Sequence, residues 1–220
     1  MTSTENYIIK DLKPLNLNDS VEKAMSLFDQ TEFSHLGVVR KNKYEGTLVY
    51  EQLEQSPNGD VKIEKIRSLL HPIYATEKMN WFEVLQIFAT NNCNALPVVD
   101  KDKTYLGYFE LNDFLSIFKS TPFLHENGYI LTIAKDIKDY SFSEITQIVE
   151  TNNATLLGAF VSKVENGQSE IVLKLSFHDI NNTIQTFRRY GYRILNEFKE
   201  DKYIDYLNER SAYLEKYLNI

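Results

Sequence analysis

A repeat of about 60 residues constrains this chain more than any other feature of its sequence. The run HLGVV at 35–39 aligns with ALPVV at 95–99, and EGTLVY at 45–50 aligns with LGYFEL at 106–111. Each pair of runs reads as a buried strand, a turn, a second strand and the start of a helix. One copy alone buries too little surface to be stable, so two copies predict two similar modules that share a core.

A helix is predicted ahead of the paired strands in each copy. In the first copy Asp19 reads as the helix cap, with Glu22 three residues on, ahead of an apolar helical face. In the second copy Asn80 and Glu83 take the same places. Each copy therefore reads strand, helix, strand, strand, helix. We assign the two copies to residues 8–60 and 61–120.

The pattern changes after Gly128. The local signals are a capping box at Ser141, a hairpin turn at Asn166-Gly167, a helix cap at Asp179 and a helix stop at Gly191. With the intervening strands, the last of them over 192–198, residues 128–198 read as β-α-β-β-α-β, the ferredoxin-like arrangement. The fold class predicted for the chain is therefore α/β and α+β.

The last segment, residues 199–220, is predicted to be a helix. Ile204, Leu207, Leu214 and Leu218 fall on one seam, which Ser211 interrupts, and tyrosines widen the apolar face. Two interpretations remain open. The segment is a docking or dimer helix, or it packs on its own domain.

Composition and charge exclude several classes of partner. The net charge of −7 disfavours nucleic acid and anionic membrane as main partners. The single cysteine, Cys93, allows no intrachain disulfide, and no apolar run reaches the roughly 18 residues of a membrane span. The first residues lack the basic and apolar regions of a signal peptide. We therefore expect a cytoplasmic protein.

The sequence contains no motif that indicates catalysis. Its 8 glycines form no phosphate-binding loop, and its four histidines lie far apart with no metal-ligand spacing. Cys93 has no candidate base near it in sequence and precedes a predicted core strand, so it reads as structural. We expect neither an enzyme nor a metal site.

The repeat resembles a tandem pair of CBS domains, over residues 8–118. The residues that carry the resemblance are LPVVD at 96–100, Leu106-Gly107, and Asp113 six residues after that glycine. Residues 129–198 resemble an ACT domain in their order of elements. The combination is similar to the CBS-plus-ACT proteins called acetoin-utilisation regulators. The resemblance implies a regulatory module with a cleft for an adenosine-type ligand, namely adenosine, AMP or ATP.

The resemblance also implies which residues meet that ligand. Family members place a Thr or Ser three residues after the glycine and a ribose-binding Asp six after it. The second copy has Glu110 and Asp113 at these places, and Leu96 and Pro97 complete its expected site. A carboxylate at Glu110 repels phosphate. The alternative for Asp113 is that it only complements the dipole at the start of a helix.

The first copy lacks both ligand-binding residues, because Val49 and Gln52 stand at those positions. The ACT-like domain lacks the glycine that amino-acid-binding members carry after their first strand, so we expect it to serve assembly. The predicted function is regulation without catalysis, by a homodimer that acts on an unidentified protein. The alternative is a structural assembly protein with no small-molecule ligand.

Overall fold

The predicted repeat is present as two copies of the same five elements. The computed structural model describes residues 4–55, 60–176 and 180–196, and the chain divides between Phe118 and Lys119 into two units. The first copy comprises β1 (Leu15–Asn16), α1 (Val21–Thr31), β2 (His35–Arg40), β3 (Lys43–Val49) and α2 (Tyr50–Glu54). The second copy comprises β4 (Ala75–Thr76), α3 (Trp81–Asn91), β5 (Ala95–Val99), β6 (Tyr105–Glu110) and α4 (Leu111–Lys119). The order predicted for each copy is confirmed.

Each copy forms a three-stranded sheet with one parallel and one antiparallel pair. The orders are β1-β2-β3 and β4-β5-β6. Each sheet packs its apolar side chains into a core of its own, which includes Phe28 in the first copy and Phe114 in the second. A 3₁₀ helix, Ile63–Leu69, connects the copies, and Ile63 packs in the first core. Among the described residues, no helix has the length and apolar character to cross a bilayer.

The helix starts agree with the sequence in one copy and differ by one residue in the other. The Asn80 side chain caps α3 and forms a capping box with Glu83, as predicted. In α1 the predicted cap, Asp19, is wrong, because Ser20 accepts the hydrogen bond from the Lys23 amide. Asp19 instead accepts the Asn16 amide at 2.8 Å, which fixes the turn before the helix. Asp19 and Ser20 are adjacent, and either side chain could cap the helix. The Asp19 carboxylate bonds within the preceding turn, so Ser20 caps the helix.

The sheets of the two copies exchange their outer segments. The amide of Ile9 donates to the Tyr108 carbonyl at 2.9 Å, and the Tyr108 amide returns the bond at 3.0 Å. Likewise Thr47 and His71 exchange bonds of 2.8 and 2.9 Å. The segment before β1 thus extends the second sheet, and the segment before β4 extends the first.

The two copies also meet through equivalent residues. The Ser34 hydroxyl bonds to Asn94 Oδ1 at 3.0 Å, and the Asn94 amide donates to Ser34 Oγ at 3.1 Å. Strands β2 and β5 contact each other where Gly37 faces Pro97, and a Cβ at Gly37 would lie 3.1 Å from Pro97 Cγ. Because residue 97 is a proline, the small residue at position 37 lets the strands approach.

The second unit has the predicted β-α-β-β-α-β order, preceded by a short helix. Its elements are α5 (Pro122–His125), β7 (Tyr129–Asp136), α6 (Phe142–Thr151), β8 (Leu156–Glu165), β9 (Gln168–Leu175), α7 (Ile180–Arg189) and β10 (Arg193–Ile194). The strands form an antiparallel sheet in the order β10-β7-β9-β8. Apolar side chains of α6 and α7 pack with one face of this sheet. The predicted fold class, α/β and α+β, is confirmed.

Two details of the second unit differ from the sequence prediction. Ser141 begins α6, but its side chain makes no capping bond. Within the described part of the strand predicted over 192–198, the strand comprises Arg193–Ile194, and the Asn196 side chain then takes the place of the backbone in bonding to β7. Its Oδ1 accepts from the Thr132 amide at 2.7 Å and its Nδ2 donates to the Ile130 carbonyl at 2.6 Å. The predicted cap Asp179 and the predicted helix 199–220 lie outside the described residues.

Candidate functional site

A recess of about 370 Å³ lies between the two copies, on the side where β6 ends. Its lining residues are Asp11, Leu12, Thr31, Phe33, Tyr108 and Glu110. We call it the Glu110 recess. The first copy supplies the residues at the end of α1, and β6 supplies Tyr108 and Glu110. The exchanged segment supplies Asp11, because pairing of Ile9 with Tyr108 brings that segment alongside β6.

The wall of the recess combines aromatic rings with carboxylates. The Phe33 and Tyr108 rings meet edge to face, with centroids 5.3 Å apart and an interplanar angle of 61°. The Tyr108 hydroxyl donates to Asp11 Oδ1 at 2.7 Å. Burial raises the pKa of Tyr108, and the bond to Asp11 raises it further. The phenol therefore keeps its proton and holds Asp11 in place.

Glu110 is a carboxylate whose charged form the recess disfavours. Burial raises the pKa of Glu110 above its ordinary value, and the neighbouring carboxylates of Asp113 and Asp11 add to the effect. A further negative group, such as a phosphate, would meet the same repulsion. Across residues 4–55, 60–176 and 180–196, no three acidic, histidine or cysteine side chains are placed to hold a metal ion. The recess therefore disfavours anionic groups and suits groups that donate hydrogen bonds.

The structure brings together two of the four residues predicted for the ligand site. Asp113 lies in the first turn of α4, partly exposed and near enough to Glu110 to influence its pKa. Leu96 is fully buried in the second core, and Pro97 packs toward Gly37. Both line a cavity of about 10 Å³ behind the recess, which has room for about one water molecule.

The matching positions in the first copy differ in chemistry. The Gln52 Oε1 atom is 2.6 Å from His71 Nε2, so the residue that replaces the ribose-binding aspartate already has a partner.

A recess of about 510 Å³ lies beside Val49 and includes Ser34 and His35 in its lining. His35 Nδ1 is 2.8 Å from Ser34 Oγ, and the imidazole is 4% exposed. Burial, together with the nearby His71, lowers the pKa of His35 to about 4.

Sequence reasoning missed five of the six residues that line the Glu110 recess, among them Asp11, Phe33 and Tyr108. Tyr108 lies inside the recognised repeat. It is two residues from Glu110 on a predicted strand, so the strand pattern places both side chains on the same face. Phe33 lies just ahead of the repeat, where Cys93 is its counterpart in the second copy. Asp11 carries no signal of its own, because only the exchange of segments brings it to β6.

Comparison with known proteins agrees with this architecture. Residues 64–120 match the model of the CBS domain family. Inosine-5'-monophosphate dehydrogenase of Methanocaldococcus jannaschii is 21% identical over 147 residues, which cover 66% of this chain and 29% of that enzyme. The chain thus spans less than a third of the length of this relative. Residues 64–120, which make up most of the second copy, thus match the CBS domain family, and the first copy has the same five elements in the same order.

Solved structures are similar over about half of the chain. A CBS domain pair/ACT domain protein from Thermotoga maritima is 19% identical and covers 53% of this chain and 96% of that chain, with a TM-score of 0.48. The CBS domains of a transcriptional regulator from Streptococcus pneumoniae are 16% identical over 53% and 98%, with a TM-score of 0.46. CBSX2 in complex with AMP is 16% identical over 53% and 95%, with a TM-score of 0.45.

Proposed function

We propose that this chain is a non-catalytic regulatory module that binds an adenosine-type ligand in the Glu110 recess. The observation that carries the proposal is the pairing of aromatic rings with a group of carboxylates on one wall. Among adenosine, AMP and ATP, this wall favours adenosine. AMP bound to CBSX2 belongs to the same chemical class.

The parts of adenosine have suitable counterparts in the recess or, for Asp113, beside it. A purine base stacks on aromatic faces, and Phe33 and Tyr108 are the rings of the lining. A ribose diol offers two hydroxyl donors, and an ionised carboxylate such as Asp113 accepts both. A phosphate group would meet Glu110, Asp113 and Asp11, whose charges already oppose one another. Because the negative charge of the ligand increases from adenosine to AMP to ATP, we expect the affinity to fall in the same order.

The position of the recess suggests how binding is converted to regulation. Its lining comes from the first copy, from the second copy and from the exchanged segment that carries Asp11. A ligand in contact with all three stabilises their arrangement, because it binds that arrangement and no other. We infer that a regulated partner protein responds to this stabilisation. The proposal includes a cytoplasmic location, in which Cys93 remains reduced.

The first test is calorimetric titration with adenosine, AMP and ATP. Asp113→Ala is expected to weaken adenosine binding about ten- to hundred-fold, because a charged acceptor contributes about 1.5–3 kcal/mol. The matched variant Gln52→Ala should change little, since that amide already bonds to His71. Glu110→Thr should tighten AMP and ATP binding. Equal losses at Gln52 and Asp113, or tighter binding of ATP than of adenosine, would contradict the proposal.

We further propose that the module is a homodimer that pairs through the helices of its second copy. Phe82 is 63% exposed and Leu115 is 49% exposed, although both are large apolar side chains. Trp81 packs between Phe82 and Phe118, with centroid distances of 4.2 and 6.3 Å. An apolar patch of this kind on two neighbouring helices favours contact with a second copy.

Light scattering after size exclusion is expected to show a mass of about 51 kDa, twice the chain mass of 25.7 kDa. Phe82→Glu should shift the protein to the monomer, because a buried unpaired charge opposes association. Val164→Glu is the matched control, since Val164 is 55% exposed in the second unit. Trp81 is the single tryptophan of the sequence, so its emission reports on this patch. A wild-type monomer at micromolar concentration would refute the dimer.

A further inference from the structure

The recess of about 510 Å³ beside Val49 is lined by acidic and aromatic side chains, and no lysine or arginine of the described chain lines it. Its carboxylates come from the end of α1 and the start of α2, and they are Asp29, Glu32 and Glu51. Its rings are those of Phe28, Phe33 and Tyr50. We call it the His35 recess, after the imidazole in its lining. A lining of this charge attracts cations and repels anions.

The second copy shows that the fold does not require the three carboxylates. It has the same five elements, and alignment of the repeat places a neutral residue at each of the three positions. The counterparts are Ala89 for Asp29, Asn92 for Glu32 and Asn112 for Glu51. Glu32 and Asn92 even share one backbone conformation after their helices, with φ of +56° and +52°. Three carboxylates that line one recess repel one another, and a bound cation would offset that repulsion.

The hydrogen bonds around Ser34 fix the tautomer of His35. Asn94 Nδ2 donates to the Glu32 carbonyl at 2.9 Å, which identifies the other amide atom of Asn94 as the oxygen. That Oδ1 carries no proton, so it accepts the Ser34 hydroxyl at 3.0 Å. Because the hydroxyl has given its single proton to Asn94, Ser34 Oγ accepts from His35 Nδ1 at 2.8 Å.

The Nε2 atom of His35 is therefore a hydrogen-bond acceptor. No donor among the described residues reaches it, although the residue is only 4% exposed. Burial lowers the pKa of His35 to about 4, so the ring is neutral at pH 7 and keeps this acceptor. A buried acceptor without a donor is destabilising and indicates a bound group that supplies one. Ala95 stands at this position in the second copy, so the fold does not require the imidazole either.

We propose that the His35 recess binds a small aliphatic polyamine. One ammonium group donates an N–H to His35 Nε2, and the other ammonium groups meet the carboxylates of the lining. No three acidic, histidine or cysteine side chains of the described residues are grouped for one metal ion, so the carboxylates suit charges spread along a chain.

The aromatic side chains of the recess suit the rest of such a ligand. The Phe28 and Tyr50 rings meet edge to face, with centroids 5.5 Å apart. Aromatic faces attract ammonium groups and contact the methylene groups between them. The volume of the recess is within the range of small-molecule sites. Among the described residues, Phe33 alone lines both this recess and the Glu110 recess, so the proposal does not depend on adenosine binding.

The test is calorimetric titration of the full chain with spermidine and with a matched pair of dications. We expect spermidine to bind with a Kd below about 1 mM. The dications 1,6-diaminohexane and hexamethonium have the same hydrocarbon chain and the same charge, but only the first has N–H groups. It should bind about ten- to hundred-fold more tightly, because only an N–H group can donate to His35 Nε2.

Substitution by residues of the second copy separates the two kinds of contact. His35→Ala should abolish the preference for 1,6-diaminohexane over hexamethonium. Glu32→Asn should weaken the binding of both dications by the same factor, about threefold, because it removes one charge. Glu22→Gln is the matched control, since Glu22 is exposed in the first turn of α1 and does not line the recess. Glu110→Thr should also leave spermidine binding unchanged.

Several outcomes would overturn the proposal. They are no binding of spermidine, equal affinity of the wild type for the two dications, and equal losses in Glu32→Asn and Glu22→Gln. Loss of spermidine binding in Glu110→Thr would place the amine in the Glu110 recess and overturn the proposal as well. If His35→Ala does not fold, the two dications still test the imidazole on the wild type. Failure of these titrations leaves adenosine binding in the Glu110 recess unaffected, because adenosine is titrated separately.

Discussion

Replacing Gly107 with alanine is expected to destabilise the first unit by about 3 kcal/mol. Two causes act together. The backbone of Gly107 has a φ of +147°, which L side chains rarely adopt, and a Cβ there would overlap the carbonyl oxygen of Ile9. That oxygen accepts the Tyr108 amide at 3.0 Å, so the overlap pushes the exchanged segment away from β6. The variant should lose ligand affinity too, because the same segment carries Asp11.

Urea denaturation of Gly107→Ala and wild type measures this difference. The control is Gly167→Ala, where φ is +77° and no atom lies within 4 Å of the added Cβ. That variant carries backbone strain without the overlap, so it should lose about 1 kcal/mol. A loss at Gly107 no larger than the loss at Gly167 would show that the exchanged segment contributes little stability.

The free energy of unfolding is expected to fall by about 3 kcal/mol between pH 7 and pH 4 through His35 alone. The unfolded imidazole gains a proton near its ordinary pKa of 6.5, whereas burial lowers the pKa of the folded one to about 4. The folded state binds fewer protons in this window, so stability is present above pH 6.5 and is lost as pH falls through it. The change follows from 1.36 kcal/mol per pH unit.

His35→Ala removes this proton uptake and mimics Ala95, the residue at the same place in the second copy. The variant should be less stable at pH 7, but its stability should fall less steeply between pH 6.5 and 4. Carboxylates contribute to acid unfolding in both proteins, so the difference between the two slopes isolates the histidine. His125→Ala, which removes a histidine with an exposed side chain, is the matched control. Equal slopes for His35→Ala and wild type would refute the assignment.

Much of the fold could be predicted from the sequence because its signals are local. The 60-residue spacing gave both copies, Asn80 with Glu83 gave the start of α3, and Asn166-Gly167 gave the turn between β8 and β9. The errors are local too. Asp19 and Ser20 are both good capping residues, and only the turn formed with Asn16 decides between them.

The candidate site was less accessible to prediction, because its wall is assembled from distant parts of the chain. Glu110 and Asp113 follow from the motif after Gly107, whereas Asp11 lies 97 residues from the Tyr108 that it contacts. Leu96 is buried in the core, and the resemblance alone does not indicate which face of its strand carries the side chain.

The exchange of outer segments has a consequence for how the chain reaches its fold during synthesis. The segment around Ile9 is made early, but its partner Tyr108 emerges only after the whole first copy and most of the second. Contacts at such sequence separation raise the contact order and slow folding. Closing so long a loop costs entropy that only the completed second sheet can offset. We therefore expect the two copies to fold in one cooperative step, with neither becoming native while the other is unfinished.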